Sequence, residues 1–267
     1  MTALMKRELM SKQKLTIVKV GGKVVEEAAS LADLLGRFSA LDGLKVLVHG
    51  GGRSATAMAE RLGIETQMVE GRRITDQSML EVVTMVYGGL VNKNIVAQLQ
   101  ALGLNAIGLT GADLNYMQAV KRPVKTIDYG FVGDIVQVNV DELNLLLEKQ
   151  VIPVLAPLSH DKQGSMLNVN ADTIAAEAAV AFSEHFEVEL VYCFEKSGVL
   201  EDADDDASVL SSLTYETFKG LQESGAIHAG MIPKLDNSFN AIKRGVSTVR
   251  ITNIPGLQEG GTSLLAE

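Results

Sequence analysis

The sequence has 267 residues, enough for one large domain or two small ones. Hydrophobic residues make up 46% and charged residues 21%, which points to a globular core and excludes global disorder. Lys plus Arg number 24 against 33 Asp plus Glu, a formal charge of −9 that argues against sequence-blind nucleic-acid binding. Any anionic ligand must therefore be met by locally gathered cations and backbone N–H groups. The single cysteine, Cys193, excludes an internal disulfide framework. The polar segment Met1 to Lys14 lacks the apolar stretch of a signal peptide. No apolar run approaches the ~18 residues of a membrane span, so a cytoplasmic protein with no membrane partner is expected.

Apolar runs and amphipathic stretches alternate along the chain. Leu15 to Val20 reads as a buried strand ending at Gly21-Gly22, and Glu26 to Leu41 as a helix with Leu31, Leu34, Leu35 and Phe38 on one face. Leu44 to Val48 is a second strand, ending at His49-Gly50-Gly51-Gly52 ahead of a helix over Ser54 to Leu62. Asp76 suits the N-cap of a helix through Tyr87, which Gly88-Gly89 bends or interrupts before Leu90 to Leu102. Asn105 to Thr110 is a strand, and Tyr116 to Val138 reads as a hairpin around Gly130 and Gly133. A helix at Asp141 to Lys149, a strand at Val151 to Leu155, an alanine-rich helix at Ala171 to Ser183 and a strand at Glu187 to Cys193 follow. Helices at Thr214 to Ser224 and Lys234 to Arg244 and a last clear strand at Thr248 to Thr252 complete the pattern. Glu201 to Asp206 is an acidic surface loop. This alternation implies βαβ units and a mostly parallel sheet covered on both faces. Ligands in such sheets bind beyond the carboxyl ends of strands, where three glycine clusters fall.

Lys19 ends a buried strand just before Gly21-Gly22, as either a snorkelling lysine above a tight turn or a cation beside a phosphate. The HGGG run opens a helix, where free N–H groups and the dipole make an anion site; it matches neither a Walker A loop nor GxGxxG. Gly71-Arg72-Arg73-Ile74-Thr75 sets two arginines before a helix, surface residues or a bidentate carboxylate grip. In Asn168-Val169-Asn170-Ala171-Asp172 the polar side chains alternate to one side, and Asn170 can also cap the following helix. In Gly230-Met231-Ile232-Pro233-Lys234 the lysine sits in a first helical turn, where a cation opposes the dipole and an anion nearby would relieve it. His49, His160, His185 and His228 lack metal-ligand spacing, and no GxSxG is present, so zinc and serine-hydrolase chemistry lack residues.

Taken in order, KVGG, HGGG, GRRIT, NVNAD and GMIPK resemble the amino acid kinase family over nearly the whole chain, most specifically its acetylglutamate kinase branch. The resemblance implies a three-layer αβα sandwich of the α/β class with a central, mainly parallel sheet and two lobes. Residues 1–183 would bind the acyl amino acid and carry the dimer contact, and residues 184–267 would bind ATP. The implied reaction moves the ATP γ-phosphoryl group to the γ-carboxylate of N-acetyl-L-glutamate, an early step of arginine biosynthesis. Lys19, Asp172 and Lys234 would be catalytic, with Asp172 orienting both lysines. Gly51, Gly52, Arg73 and Asn168 would hold the substrate, and Gly21, Gly22, Gly50, Ser197, Gly198 and Met231 the phosphates and nucleotide. Mg²⁺ would ride on the ATP phosphates with no protein metal site.

The run Phe194-Glu195-Lys196-Ser197-Gly198 departs from the family's Ser/Thr-Asp-Val-x-Gly pattern while keeping its glycine. The few residues before Leu15 are too short for the extra helix of arginine-inhibited members, so a homodimer without strong arginine feedback is expected. Tyr129 and Phe131 are candidates to shape the acyl pocket. Two alternatives remain: a kinase for N-succinyl-L-glutamate, and a non-catalytic sensor of nucleotide or amino acid.

Overall fold

A computed structural model describes residues 12–69, 71–202, 205, 208–224, 227 and 231–266. Gly230, His228, the segment before Lys12 and Ala203, Asp204 and Asp206 of the acidic loop lie outside the described residues.

The first elements are β1 (Lys14–Val20), α1 (Gly22–Glu26), α2 (Ala28–Ser39), β2 (Leu44–His49) and α3 (Gly52–Arg61). A two-stranded ribbon, β3 (Met68–Val69) and β4 (Arg72–Arg73), precedes α4 (Gln77–Val83), a π-helical segment (Thr84–Val91) and α5 (Asn92–Ala101). Then come β5 (Ala106–Leu109), β6 (Met117–Lys121), β7 (Gly133–Val138), α6 (Asp141–Glu148) and β8 (Ile152–Leu155). β9 (Leu158–His160), β10 (Met166–Asn168), α7 (Ala171–Phe182) and β11 (Glu187–Phe194) follow. The last elements are β12 (Ser212–Thr214), α8 (Tyr215–Glu223), α9 (Ile232–Lys243), β13 (Thr248–Asn253) and β14 (Thr262–Leu265).

Eight strands form one sheet in the order β12-β14-β13-β11-β1-β2-β8-β5, and every neighbouring pair is parallel except β13 with β14. A second sheet, β10-β9-β6-β7, contains the expected hairpin, with β6 and β7 antiparallel. In β1, at the centre of the large sheet, Leu15 and Ile17 join one apolar cluster with α6, α7, α8 and α9, whereas Val18 and Val20 join another with α1 to α5. Strand alternation explains this: successive side chains enter opposite layers, so a strand covered on both faces reads as continuously apolar. By the same alternation Lys19 leaves the sheet on the face of Leu15 and Ile17, the face that α7 covers.

Local chemistry sets the boundaries. Asp76 accepts from the N–H of Met79 at 2.8 Å and starts α4 as its spacing implies. Gly88-Gly89 neither stops nor bends the chain out of the helix; it lies within the π-helical segment that joins α4 to α5. The helix expected from Glu26 in fact begins at Gly22 and breaks at Glu27, whose φ of −87° and ψ of 109° are extended. Thr248–Asn253 is not the final strand, because β14 returns antiparallel to it.

Candidate functional site

The carboxyl ends of β1 and β2 bring the two glycine turns together. The N–H of Gly21 donates to Cys193 O at 3.1 Å and that of Gly50 to Val20 O at 3.1 Å. A Cβ on Gly50 would sit 3.2 Å from the Gly22 nitrogen, and one on Gly51 only 2.9 Å from the Tyr87 ring. Bare backbone is what lets these turns stack. Gly51 precedes α3 with no side-chain cap, so the first N–H groups of a ten-residue helix point outward unsatisfied by any capping side chain.

His49 is fully buried, and burial lowers its imidazole pKa to about 4, so it is neutral at ordinary pH. Its Nδ1 lies 2.7 Å from Gly50 O, and its Nε2 3.1 Å from Nδ2 of Asn92. The neutral tautomer with hydrogen on Nδ1 satisfies both: it donates to Gly50 O and accepts from Asn92. Asn92 Nδ2 also donates to Val154 O at 2.9 Å, tying the glycine turn to the sheet.

Asp172 stands in the first turn of α7, below the cap made by Asn170, whose Oδ1 accepts from the Asp172 N–H at 2.7 Å. Its Oδ1 pairs with Lys19 Nζ at 2.6 Å and its Oδ2 with Lys234 Nζ at 2.8 Å. Lys234 arrives from the first turn of α9. Burial works to raise the Asp172 carboxyl, but the Lys19 and Lys234 ammoniums outweigh it and hold it at about 2. Burial pushes the Lys19 ammonium below its usual value, with Asp172 opposing. Two cations share one anion, so one positive charge is left uncompensated. A group bringing one negative charge here would complete the balance.

Beside this triad lies a cavity of about 200 Å³. Gly51, Gly52, Arg73 and Asn168, expected at the substrate, line it together with Gly50, expected at the phosphates, and Asn170. Arg73 is buried, and its Nη2 donates to Gly52 O at 2.7 Å and Thr56 Oγ1 at 2.8 Å. Asn168 Nδ2 donates to Thr75 Oγ1 at 3.0 Å, which in turn donates to Arg73 O at 3.1 Å. GRRIT and NVNAD are thus physically coupled. Gly130, at φ +70°, bridges to Thr75; a Cβ there would meet Thr75 O at 2.2 Å, so only glycine lets the hairpin dock.

Tyr87, Arg122, Val132 and Pro157 also line the cavity, and no sequence motif singles them out. Gly88-Gly89 is the nearest signal to Tyr87; nothing in the pattern marks Arg122. Tyr129 is buried beneath the Arg122 guanidinium, and Phe131 faces a different cavity with Leu80, Glu81 and Met166, so Arg122 and Val132 are the hairpin residues that line the cavity beside Asp172.

Toward the C-terminal end of the chain, Met231 precedes α9, and its carbonyl accepts from the N–H groups of Lys234 and Leu235 at 3.0 Å. Gly198 is buried, and a Cβ there would meet Thr262 Oγ1 and Val209 Cγ1 at 2.6 Å. Ser197 is half-buried beside it. A cavity of about 290 Å³ between α1 and the ends of β11 and β13 is lined by Lys23, Val24, Phe194, Glu195 and Asn253, not by Ser197, Gly198 or Met231. Among the described residues no group of three His, Cys, Asp or Glu side chains is placed to hold a metal ion.

Residues 14–253 match the family model described as the amino acid kinase family. An acetylglutamate kinase of Phocaeicola vulgatus is 61% identical over 254 residues, 95% of this chain and 99% of its own. One from Parabacteroides distasonis is 61% identical over 248 residues, 93% of this chain and 97% of its own. A crystal structure of a Streptococcus mutans protein superposes with a TM-score of 0.78 at 28% identity, covering 95% of this chain and 99% of that one.

Proposed function

The chain belongs to the amino acid kinase family, and on that premise we propose that it is an acetylglutamate kinase, transferring the γ-phosphoryl group of ATP to the γ-carboxylate of N-acetyl-L-glutamate. The products are N-acetyl-L-glutamyl phosphate and ADP, at an early step of arginine biosynthesis. The observation that carries this reading is Asp172 holding Lys19 and Lys234 beside a cavity lined by Arg73 and Asn168.

The chemistry suits these residues. A glutamate γ-carboxylate has a pKa of about 4.3 and is already ionised at neutral pH, so the nucleophile needs no general base. The task is to align two mutually repelling anions and to neutralise charge on the transferring oxygens. Lys19 and Lys234 supply that charge, and Asp172 orients them without touching the reacting atoms. The N–H groups of Gly51 and Gly52 at the start of α3, with that of Gly22, receive phosphoryl and carboxylate oxygens, whereas those of Gly21 and Gly50 are taken by Cys193 O and Val20 O. Arg73 and Asn168 hold the α-carboxylate and its neighbouring groups. Mg²⁺, when bound with ATP, would supply further charge neutralisation on the nucleotide. The described residues offer no acidic cluster for it, and Asp172 is taken up by its lysines.

In this reading residues 1–183 bind the acyl amino acid and pair two copies into a homodimer, and residues 184–267 bind ATP, with Ser197, Gly198 and Met231 on the nucleotide side. No described helix is long and apolar enough to cross a membrane, in keeping with a cytoplasmic enzyme of small-molecule substrates.

Hydroxylamine trapping tests the reaction. With ATP and N-acetyl-L-glutamate the protein is expected to yield an acyl hydroxamate. N-succinyl-L-glutamate, run in parallel, compares the acyl groups by kcat/KM. ATP binding without hydroxamate from either substrate would favour a sensor and refute the kinase.

A further inference from the structure

Of the arginines lining the cavity beside Asp172, Arg122 is held in an unusual way. It follows β6, and its backbone N–H donates to Val132 O at 2.8 Å. Its Nε donates to both oxygens of Asp134 on β7, at 3.0 and 3.3 Å, and its Nη2 to Oδ1 of the same carboxylate. The guanidinium carbon lies 5.6 Å from the centre of the Tyr129 ring. The side-on grip of Asp134 uses the Nε–Nη2 edge and leaves the Nη1 edge free. Nη1 is buried and has no acceptor in the protein. A buried donor without a partner is costly, and a water, ion or ligand that brings an acceptor relieves that cost.

Arg73 differs: its guanidinium is already hydrogen-bonded to Gly52, Thr56 and Thr66. Arg122 has its charge balanced by Asp134 but keeps a free N–H group. That combination suits an uncharged carbonyl oxygen better than another carboxylate.

We propose that Arg122 reads the acyl group of the substrate, its Nη1 donating to the amide carbonyl oxygen of the N-acyl amino acid. Asp134 is the positioning residue that sets the guanidinium edge-on. The assignment rests on the reading of the substrate as an N-acylated glutamate. It predicts that the site disfavours free L-glutamate, which lacks the acceptor: a site built around a hydrogen bond rejects an analogue that cannot make it.

The test is Arg122→Met, alone and combined with Asp134→Asn so that no unpaired carboxylate remains. The KM for N-acetyl-L-glutamate is expected to rise about 10- to 100-fold, the range for losing a hydrogen bond with a charged partner. The KM for ATP and the melting temperature should stay close to wild type. Asp134→Asn alone should raise the same KM less and leave kcat in place. N-succinyl-L-glutamate shares the amide oxygen and should suffer alike. A loss confined to N-succinyl-L-glutamate would assign the donor to its terminal carboxylate and overturn the carbonyl contact. An unchanged KM, or an equal loss for L-glutamate, would overturn the proposal. Calorimetric binding of N-acetyl-L-glutamate to wild type and variant decides the point separately from turnover. If wild type binds but does not turn over, the kinase reading fails while the Arg122 contact stands or falls on the Kd. If wild type does not bind, the Arg122 proposal fails too.

Discussion

Lys19 and Lys234 share one carboxylate, whereas Arg73 rests its guanidinium on the neutral oxygens of Gly52 and Thr56. Both arrangements keep positive charge for a ligand, by different means. In the lysine cluster the anion is outnumbered, so the surplus belongs to the trio and vanishes or doubles when one member changes. In the arginine site the partners are uncharged, so the charge stays on one group and the hydrogen bonds only fix its direction. The first design suits a group whose charge shifts during reaction; the second suits a carboxylate that is only held. Arg122, with its charge spent on Asp134, is a third case, selective by hydrogen bonding.

Removing the shared anion should have the largest effect. Asp172→Ala leaves two ammoniums facing each other, one of them on the buried Lys19, and breaking such a pair typically costs about 3–5 kcal/mol. Thermal unfolding should show that loss, and ATP should raise the melting temperature of the variant more than that of wild type, because phosphate replaces the missing carboxylate. An equal rise in both would break the idea of a shared, transferable counter-charge.

The buried histidine should make the glycine turns acid-sensitive. His49 has its folded pKa lowered from 6.5 to about 4, so the folded state resists its protonation. Its contribution is present above pH 6.5 and is lost as pH falls toward 4, up to about 3 kcal/mol at ~1.4 kcal/mol per unit. Denaturation midpoints of wild type and His49→Gln across that window should converge as pH falls. Asp172, held at about 2, stays ionised there and keeps its lysines in place. A third, smaller effect is expected from Gly51→Ala, which drives a Cβ to 2.9 Å from the Tyr87 ring. Substrate KM should rise severalfold, and Tyr87→Leu should restore part of it. Smallest is Asn170→Ala, which removes the cap beneath Asp172 and should cost ~1 kcal/mol with a modest fall in kcat.

Much of this architecture is legible in the amino-acid sequence. The apolar runs of β1, β2, β8 and β11 announce strands buried on both faces, and the glycines at the ends of β1 and β2 announce the site. Lys19, Asp172 and Lys234 are each ambiguous alone, because a strand-end lysine, a first-turn aspartate and a first-turn lysine all have ordinary explanations. Their order along the chain makes them a set, and the ion pairs join them. Short strands such as β9, β10 and β14 have too few residues to show a period. Arg122 is invisible in the sequence because its importance lies in Asp134 across the hairpin and in an unmet donor, neither of which leaves a local pattern.

In the proposed reaction the lysine charge left over by Asp172 drives phosphoryl transfer. Turnover of Lys234→Ala at saturating ATP and N-acetyl-L-glutamate, with calorimetric binding of both, tests it most directly. The expected result is a fall in kcat of about 10²–10³-fold, the usual loss on removing one transition-state donor, with N-acetyl-L-glutamate still bound. A variant that turns over at the wild-type rate with both substrates bound would contradict it.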